Sequence, residues 1–301
     1  MRRPGVPAIL QGFPFAAPNI PAGMEVVPRK ARMGAAYDSS WAREQPARYA
    51  RFFIVEGPMR AAMATLATPT RKGLDRLADA AGPLIFAANH HSHLDAPLML
   101  TSIPQPFRHR MVVAAAADYF FGNQLTATLS SLAMGAFPIE RSRVSRESAE
   151  QAAELLGEGW SLLIFPEGGR SHDGWGQGHR GGAAYLSART GVPIVPVHVQ
   201  VTDRIFAKGD KRPRPGVTKV TFGDPLLPLE SENATRFAAR IEAAVATLAD
   251  EAGSDWWTSR RRAAAGTTPS LTGPGTSSWR RAWALGDRRG RTRRTRRWPE
   301  L

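Results

Sequence analysis

The sequence of 301 residues contains no cysteine and no long, purely apolar run. Without cysteine, the chain can form neither a disulfide nor a thiolate metal site, and it has no cysteine nucleophile. The uncharged stretch at 119–139 includes too many Gly, Asn, Gln, Ser and Thr residues for a helix that spans a membrane. Prolines at positions 7, 14, 18 and 21 interrupt the apolar residues near the start. We therefore expect no secretory signal peptide and a cytoplasmic protein.

Acidic side chains are few compared with basic ones. The chain has 26 Asp and Glu against 40 Lys and Arg, and its formal net charge is +14. Residues 260–301 hold 12 arginines, offset only by Asp287 and Glu300. A positive block favours an anionic partner, either a membrane surface or nucleic acid, although it can also be a solvated tail. We predict that residues 253–301 form a flexible tail rich in Arg and Trp.

The hydrophobic fraction of 43% is sufficient for a buried core. Residues 1–45 are rich in Pro and Gly and lack a steady period, so we predict a poorly ordered segment there. We assign the globular domain to residues 46–252. Its beginning belongs to an amphipathic helical pattern at 41–67 that carries several arginines. Such a helix can pack on its own domain or lie on a bilayer.

Short apolar runs alternate with helical patterns from residue 83 onward. The helical segments 145–156 and 182–190 are each followed by a glycine that can end a helix, and residues 232–252 carry a regular apolar face. This alternation predicts an α/β fold with a largely parallel central sheet flanked by helices. The predicted strands are residues 83–88, 111–117, 135–139, 161–165, 192–199 and 217–222.

The segment NHHSHLD, at residues 89–95, combines three histidines with one aspartate. As metal ligands, His91, His93 and Asp95 have the H-x-H-x-D spacing of metallo-β-lactamase-type hydrolases. That family also has a histidine directly after the aspartate, where this chain has Ala96. Because a zinc site needs three or four ligands with supporting groups, a metal-dependent hydrolase is an alternative and not our preferred interpretation.

His90 and Asp95 of the same segment form a candidate acid-base pair. On one regular helix, a spacing of five residues rotates side chains about 140° apart. The pair can therefore meet only if His90 lies on the loop that leaves a strand and Asp95 lies at the start of a helix, where Pro97 fits the first turn. A carboxylate that accepts from one imidazole nitrogen makes the other a better base. Taken alone, the segment is more often a polar turn.

Two further segments have the character of ligand-binding loops. GAFPIERSR, at 135–143, leaves the predicted strand 135–139 and supplies Arg141 and Arg143, which are suited to binding an oxyanion. SLLIFPEGGRS, at 161–171, leaves another strand through glycines whose backbone N–H groups can approach a phosphate. Either segment alone can be an ordinary turn.

Together and in this order, NHHSHLD, GAFPIERS, FPEGGRS and VPIVPV resemble the four sequence blocks of the glycerolipid acyltransferase family, the His-x4-Asp group that includes the 1-acylglycerol-3-phosphate acyltransferases. The resemblance covers about residues 70–225. It leaves out the N-terminal segment and the basic tail. One departure is Gly169, where family members usually carry threonine.

The resemblance implies a role for individual residues of this chain. His90 is the general base and Asp95 orients it. The second and third blocks bind the phosphoglycerol part of the acceptor, and the fourth lies near the acyl donor. The implied acceptor-binding residues are Gly135, Phe137, Arg141, Glu167, Gly168 and Arg170, and the implied donor-side residues are Pro193 and Pro196.

The implied reaction is acyl transfer from acyl-CoA or acyl-carrier protein to the free hydroxyl of 1-acyl-sn-glycerol 3-phosphate, without a cofactor or metal. Glycerol 3-phosphate or another lysophospholipid is the alternative acceptor. Because the substrates are lipids, we expect the protein to lie on the inner face of the cell membrane, with the basic tail on anionic lipid rather than on nucleic acid. His91 and His93 are expected to be bystanders in the turn.

Overall fold

The computed structural model describes residues 33–140, 146–170, 175–207, 210 and 212–272. The chain divides into two units, residues 1–32 and 33–301, of which only the second contributes described residues. Most of the predicted poorly ordered segment and most of the predicted basic tail therefore lie outside the described residues. Within the described part of the chain, no helix is both long and apolar enough to cross a membrane.

The described residues contain a central sheet of seven strands. These are β1 Pro69–Lys72, β2 Ile85–Ala88, β3 Met111–Ala116, β4 Ala136–Ile139, β5 Ser161–Ile164, β6 Ile194–Gln200 and β7 Thr218–Phe222. Their order across the sheet is β1-β7-β6-β2-β5-β3-β4. Every neighbouring pair is parallel except β6 and β7, which are antiparallel. The predicted α/β fold with a largely parallel central sheet is confirmed.

The six predicted strands all occur, with ends shifted by at most two residues. Strand β1 was not predicted. Its sequence, PTRK, has no apolar residue, and its side chains alternate between half-buried and exposed. Because β1 lies at the edge of the sheet and pairs only with β7, its backbone can add to the sheet without an apolar side chain that a sequence pattern would reveal.

Helices cover both faces of the sheet. They are α1 Ala47–Ile54, α2 Arg60–Leu66, α3 Asp95–Ser102, α4 Gln105–Arg108, α5 Ala117–Phe120, α6 Gln124–Met134, α7 Arg146–Gly157, α8 Gly182–Thr190, α9 Thr202–Ile205, α10 Ala234–Gly253 and α11 Trp256–Ala264. In β2, Phe86 and Ala88 pack in one core cluster with residues of α3, while Ile85 and Ala87 pack in a second with residues of α7, α8 and α10. This alternation buries both faces of the strand.

The N-terminal helical pattern is interrupted where a single helix over 41–67 was predicted. Helices α1 and α2 are separated by a π-helical turn at Val55–Met59, which contains Pro58. Proline lacks the backbone N–H that a regular α-helix needs at this point, and a wider turn accommodates it. Regular structure also begins within the segment predicted to be poorly ordered, residues 1–45, because 3-10 turns occur at Gly34–Ala36 and Ser40–Arg43.

Helix α11 lies within the region predicted to be a flexible tail. The side chain of Asp255 caps it by accepting the N–H of Thr258 at 2.9 Å. Arg262 forms an ion pair of 2.6 Å with Asp250 of α10, and Ser259 is fully buried. The prediction was wrong for this stretch because a cap and a neighbouring helix stabilise a segment whose composition is polar.

Candidate active site

A cavity of about 130 Å³ lies at the edge of the sheet where the parallel strands β2, β3, β4 and β5 end. In sheets of this type, loops at the carboxyl ends of the strands commonly form the ligand site. Residues from three of the predicted motifs line the cavity together with aromatic side chains from elsewhere. The lining includes His90, His93, Tyr119, Phe165, Gly168 and Arg170.

The structure brings His90 and Asp95 together. The Nδ1 atom of His90 lies 2.9 Å from Oδ2 of Asp95. His90 lies on the loop after β2, and Asp95 is the first residue of α3, which is the arrangement that the sequence required for contact. The His90 ring stacks on Phe165 with ring centres 4.1 Å apart. Asp95 therefore holds Nδ1 while the opposite side of the ring, with Nε2, is left for the cavity.

Asp95 is fully buried but well supplied with donors. Its Oδ2 atom accepts the backbone N–H groups of His91 at 2.7 Å and Ser92 at 2.8 Å, in addition to the contact with His90. Burial opposes ionisation of Asp95, but the hydrogen bond and charge interaction with His90, together with hydrogen bonds from Thr202 and Ser92, hold the pKa of Asp95 below its usual value. The carboxylate is therefore available to orient His90.

His93, which the sequence predicts to be a bystander in the turn, lines the cavity. Its ring stacks on that of Tyr119, and its Nε2 atom lies 3.1 Å from the Tyr119 hydroxyl. Burial, together with the positive charge of Arg170, lowers the pKa of His93 to about 4. The imidazole is therefore neutral near pH 7 and can accept a hydrogen bond from Tyr119.

Among the described residues, no group of three or more His, Asp or Glu side chains is placed to hold a metal ion. Asp95, which the metal interpretation requires as a ligand, is directed to His90 and to two backbone N–H groups. The arrangement of these side chains favours the acid-base interpretation of NHHSHLD.

The family resemblance implies that Glu167 binds the acceptor, but the Glu167 side chain points beneath the loop. Its carboxylate is buried beneath the loop, where Oε1 accepts the backbone N–H of His90 and Oε2 that of Gln177, each at 2.9 Å. Burial raises the pKa of Glu167 to about 7, and the two hydrogen bonds only partly oppose this. Glu167 therefore supports the backbone of His90.

Gly135 and Phe137 of the second block do not line the cavity, and their implied acceptor-binding roles stay predictions. Gly135 ends α6 with a φ of 66°, and an added Cβ atom would lie 2.9 Å from both Nη1 of Arg51 and the backbone oxygen of Met111. Phe137 is fully buried in the core because alternate side chains of β4 point into it. Arg141 lies outside the described residues.

Gly168 and Arg170 of the third block do line the cavity. Gly168 has a φ of 72°, and an added Cβ atom would lie 2.7 Å from Nε of Arg180, so a glycine is needed there. The guanidinium carbon of Arg170 lies 5.7 Å from the centre of the Tyr119 ring. Its Nη1 atom is enclosed and has no hydrogen-bond partner among the described residues, which makes it available to an anion.

The prolines of the fourth block are part of the sheet and not of the cavity wall. Pro196 is paired with Ala87 across β6 and β2, and the backbone oxygen of Pro193 accepts the N–H of Ile85 at 2.9 Å. Since β6 lies on the side of β2 away from β5, both prolines are separated from the cavity by β2. The donor-side role that the resemblance implies for them stays a prediction.

Tyr119 and Phe165 were not identified from the sequence. Phe165 directly precedes the PEGGR motif, and its position at the end of a strand could have indicated it. Tyr119 belongs to the short helix α5, which follows β3. No motif marks this tyrosine, because only the parallel pairing of β3 with β5 brings it beside Arg170.

Comparison with known proteins shows which sequences and folds this chain is similar to. The family model described as Acyltransferase matches residues 69–200. The chain is 30% identical over 142 residues to the 1-acyl-sn-glycerol-3-phosphate acyltransferase BAT2, chloroplastic, of Brassica napus, which covers 46% of this chain and 39% of that protein. It is 27% identical over 179 residues to 1-acyl-sn-glycerol-3-phosphate acyltransferase alpha of Homo sapiens, covering 58% of this chain and 61% of that protein.

The match thus spans less than two thirds of the length of these relatives. Among solved structures, the 1-acyl-sn-glycerophosphate (LPA) acyltransferase PlsC from Thermotoga maritima aligns with a TM-score of 0.56 and 21% identity, over 73% of this chain and 84% of that one. At this identity the likeness shows a shared fold. The similarities confirm the family resemblance that the four sequence motifs indicate.

Proposed function

Because residues 69–200 match the family model described as Acyltransferase, we propose that the protein transfers an acyl chain from a thioester donor to the free hydroxyl of 1-acyl-sn-glycerol 3-phosphate. The observation that carries this proposal is the contact of 2.9 Å between His90 and the buried Asp95 at the cavity. A neutral imidazole held through Nδ1 has Nε2 free to take a proton from an alcohol.

In the proposed reaction, Nε2 of His90 accepts the proton of the acceptor hydroxyl, and the oxygen attacks the thioester carbonyl. The new C–O ester bond forms, the C–S bond breaks, and the thiolate leaves with the proton that His90 carried. Acyl-CoA and acyl-carrier protein are both suitable donors, since the chemistry involves only their shared thioester. No covalent intermediate on the enzyme and no cofactor is required.

Arg170 is proposed to bind the phosphate of the acceptor. Its enclosed Nη1 atom has no hydrogen-bond partner among the described residues, and the guanidinium lies in the same cavity as His90. Two parallel N–H groups match the geometry of a phosphate. Fixing the phosphate positions the nearby hydroxyl against the base, which contributes to the rate through orientation.

The test of the base uses His90→Ala with His91→Ala as its matched control. Release of CoA from acyl-CoA is measured with 1-acyl-sn-glycerol 3-phosphate as acceptor. We expect His90→Ala to lower kcat by about 10²- to 10⁴-fold and His91→Ala to keep most activity, because it retains the backbone N–H to Asp95. Full activity of His90→Ala, with its fold intact by circular dichroism, would remove His90 as the base.

A second experiment identifies the acceptor. The wild-type protein and Arg170→Ala are assayed with 1-acyl-sn-glycerol 3-phosphate, glycerol 3-phosphate, and lysophospholipids that carry a further headgroup. We expect the first to have the highest kcat/KM, and Arg170→Ala to raise its KM by about tenfold or more. Preference for another acceptor would replace this one while retaining the proposed base.

We also propose that the protein contacts the surface of an anionic membrane through α1. The side chains of Tyr49 and Phe53 are exposed by 62% and 69%, and Arg48 of the same helix is partly exposed. Aromatic groups enter the headgroup layer and arginines contact lipid phosphates. On the other side of the helix, the buried Arg51 donates to the backbone oxygen of Leu132 at 3.0 Å, so α1 is anchored to the domain.

Sedimentation with vesicles tests this surface. We expect more protein to bind vesicles that contain phosphatidylglycerol than pure phosphatidylcholine vesicles, and the double variant Tyr49→Ser, Phe53→Ser to lose most of this binding. Leu229→Ser is the matched control, because Leu229 is similarly exposed, by 63%, outside α1. Equal binding of all three proteins would rule out α1 as the contact.

A further inference from the structure

Residues that follow the part of the chain matched by the family model contact the loop that supports His90, the candidate base. Helix α11 is attached to α10 through the ion pair between Arg262 and Asp250. The backbone then turns at Gly266, which has a φ of 66°. Residues 266–272 are named here the strap. Gly266 and residues 268–271 of the strap line a groove along α10, together with Glu242 and Thr247.

The strap ends against the loop that follows the PEGGR motif. The backbone oxygen of Leu271 accepts the N–H of Gly176 at 2.9 Å. A Cβ atom on Gly176 would lie 3.3 Å from Cβ of Leu271. This separation is tighter than an ordinary van der Waals contact, so the absence of a side chain at Gly176 allows the strap to approach closely.

Three hydrogen bonds connect the strap to the candidate base. Next to Gly176, Gln177 donates its backbone N–H to Oε2 of Glu167, whose Oε1 atom accepts the backbone N–H of His90. Each of these bonds is 2.9 Å long. Glu167, which lies between them, is 2% exposed, so water does not readily replace either hydrogen-bond partner. A displacement of the loop therefore also displaces the Glu167 carboxylate.

We propose that the strap is a positioning element, which holds Gly176 and Gln177 in place so that Glu167 keeps the backbone of His90 in register with Asp95. The strap lies outside the residues that match the family model. A second anchor acts on the same loop, because Glu242 accepts the N–H of His179 at 2.8 Å. The strap adds the anchor that lies directly beside Gln177.

The effect on catalysis rests on the proposed function, so the test includes a measurement that does not depend on activity. Amide hydrogen exchange is followed in peptides that contain His90 and Gln177, beside kcat and KM. Three forms are compared: the full chain, a chain that ends at Thr272 and retains the strap, and a chain that ends at Ala265 and lacks it.

The chain ending at Thr272 is expected to match the full chain in exchange and in kcat. In the chain ending at Ala265, we expect exchange at Gln177 and His90 to be about tenfold faster and kcat about tenfold lower at similar KM. Exchange in β3 should be unchanged. Unchanged exchange at His90 and Gln177, or an equal rise in β3, would overturn the proposal. If the full chain proves inactive, the exchange measurement still decides the structural role.

A point variant tests the same contact without truncation. Gly176→Ala introduces a Cβ atom 3.3 Å from Cβ of Leu271 and should accelerate exchange at Gln177 and His90. Adding Leu271→Gly removes the opposing atom and should restore the slower exchange of the wild type. Failure of the second substitution to restore it would show that the strap does not act through this contact.

Discussion

The guanidinium carbon of Arg170 lies 5.7 Å from the centre of the Tyr119 ring, inside the cavity that His90 also lines. The aromatic face attracts the cation and so orients the side chain proposed to bind phosphate. We expect Tyr119→Ala to raise the KM for the phosphate acceptor by about 3- to 30-fold, from the usual strength of such contacts. Tyr119→Phe keeps the ring and is the control, with an expected change below about threefold. Equal effects of the two substitutions in steady-state kinetics would contradict a role for the ring face.

Asp95→Asn should lower kcat by about 10²- to 10⁴-fold, because an amide no longer favours the tautomer that leaves Nε2 of His90 as the base. The backbone N–H groups of His91 and Ser92 retain an oxygen acceptor, so most of the fold should survive. Steady-state assays at saturating donor measure the loss of activity, and thermal unfolding checks the fold. Activity above one tenth of the wild type would argue against Asp95 as the orienting group.

The raised pKa of Glu167 predicts a pH-dependent contribution to stability. Its folded-state pKa of about 7 exceeds the ordinary value of 4.5, so the folded protein binds this proton more tightly than the unfolded chain. The contribution to the free energy of unfolding therefore falls as pH rises from 4.5 to 7, by about 3 kcal/mol in total. Urea unfolding between pH 5 and pH 8 should show this slope in the wild type and not in Glu167→Gln. If the free energy of unfolding changed with pH in the same way for the wild type and Glu167→Gln, the raised pKa of Glu167 would be contradicted.

His198 should produce the opposite slope at acidic pH. Burial, together with the positive charges of His91 and Lys219, lowers the pKa of His198 to about 3, from the usual value of 6.5. The unfolded chain therefore binds this proton more tightly than the folded protein, and stability is lost as pH falls below 6.5, by about 1.4 kcal/mol per pH unit. His198→Gln should lose this part of the acid sensitivity in unfolding experiments between pH 6.5 and pH 4.5. An unchanged acid profile of His198→Gln would show that other groups control it.

Gly135→Ala tests whether Gly135 has a structural role and not a substrate-binding one. Its Cβ atom would meet both Arg51 and the backbone of Met111, so we expect a loss of about 2 to 4 kcal/mol in the free energy of unfolding. Gly191→Ala is matched to it, because Gly191 also has a positive φ of 70° but has open space around it. Its loss should be about 1 kcal/mol. If Gly135→Ala changed the KM for the acceptor without loss of stability, the family-implied role would be correct.

Some of the architecture follows from local sequence patterns alone. Apolar runs of strand length, and helices ended by glycines such as Gly191, depend on side chains that are neighbours in sequence. The pairing of His90 with Asp95 is local for the same reason, since five residues connect a strand end to a helix start. For these features, the sequence by itself determined both the type of element and the residues that meet.

Long-range packing decided the features that sequence patterns missed. Strand β1 forms because its backbone pairs with the edge of β7. Phe137 is buried because alternate side chains of β4 face the core. A glutamate in a loop can point toward a ligand or beneath the backbone with the same local sequence. The tertiary contacts with His90 and Gln177 decided this for Glu167.

The C-terminal region illustrates the same division. Its composition, rich in Arg and Trp, predicted a flexible tail. Three contacts order this region: the cap by Asp255, the ion pair of Arg262 with Asp250, and the hydrogen bond between Leu271 and Gly176. They join residues that are distant in sequence or that no sequence motif marks. The sequence by itself determined strands β2 to β7, helices α7, α8 and α10, and the His90–Asp95 pair. Only the tertiary structure decided which other motif residues reach the cavity, because burial and hydrogen bonding depend on neighbours that are far away along the chain.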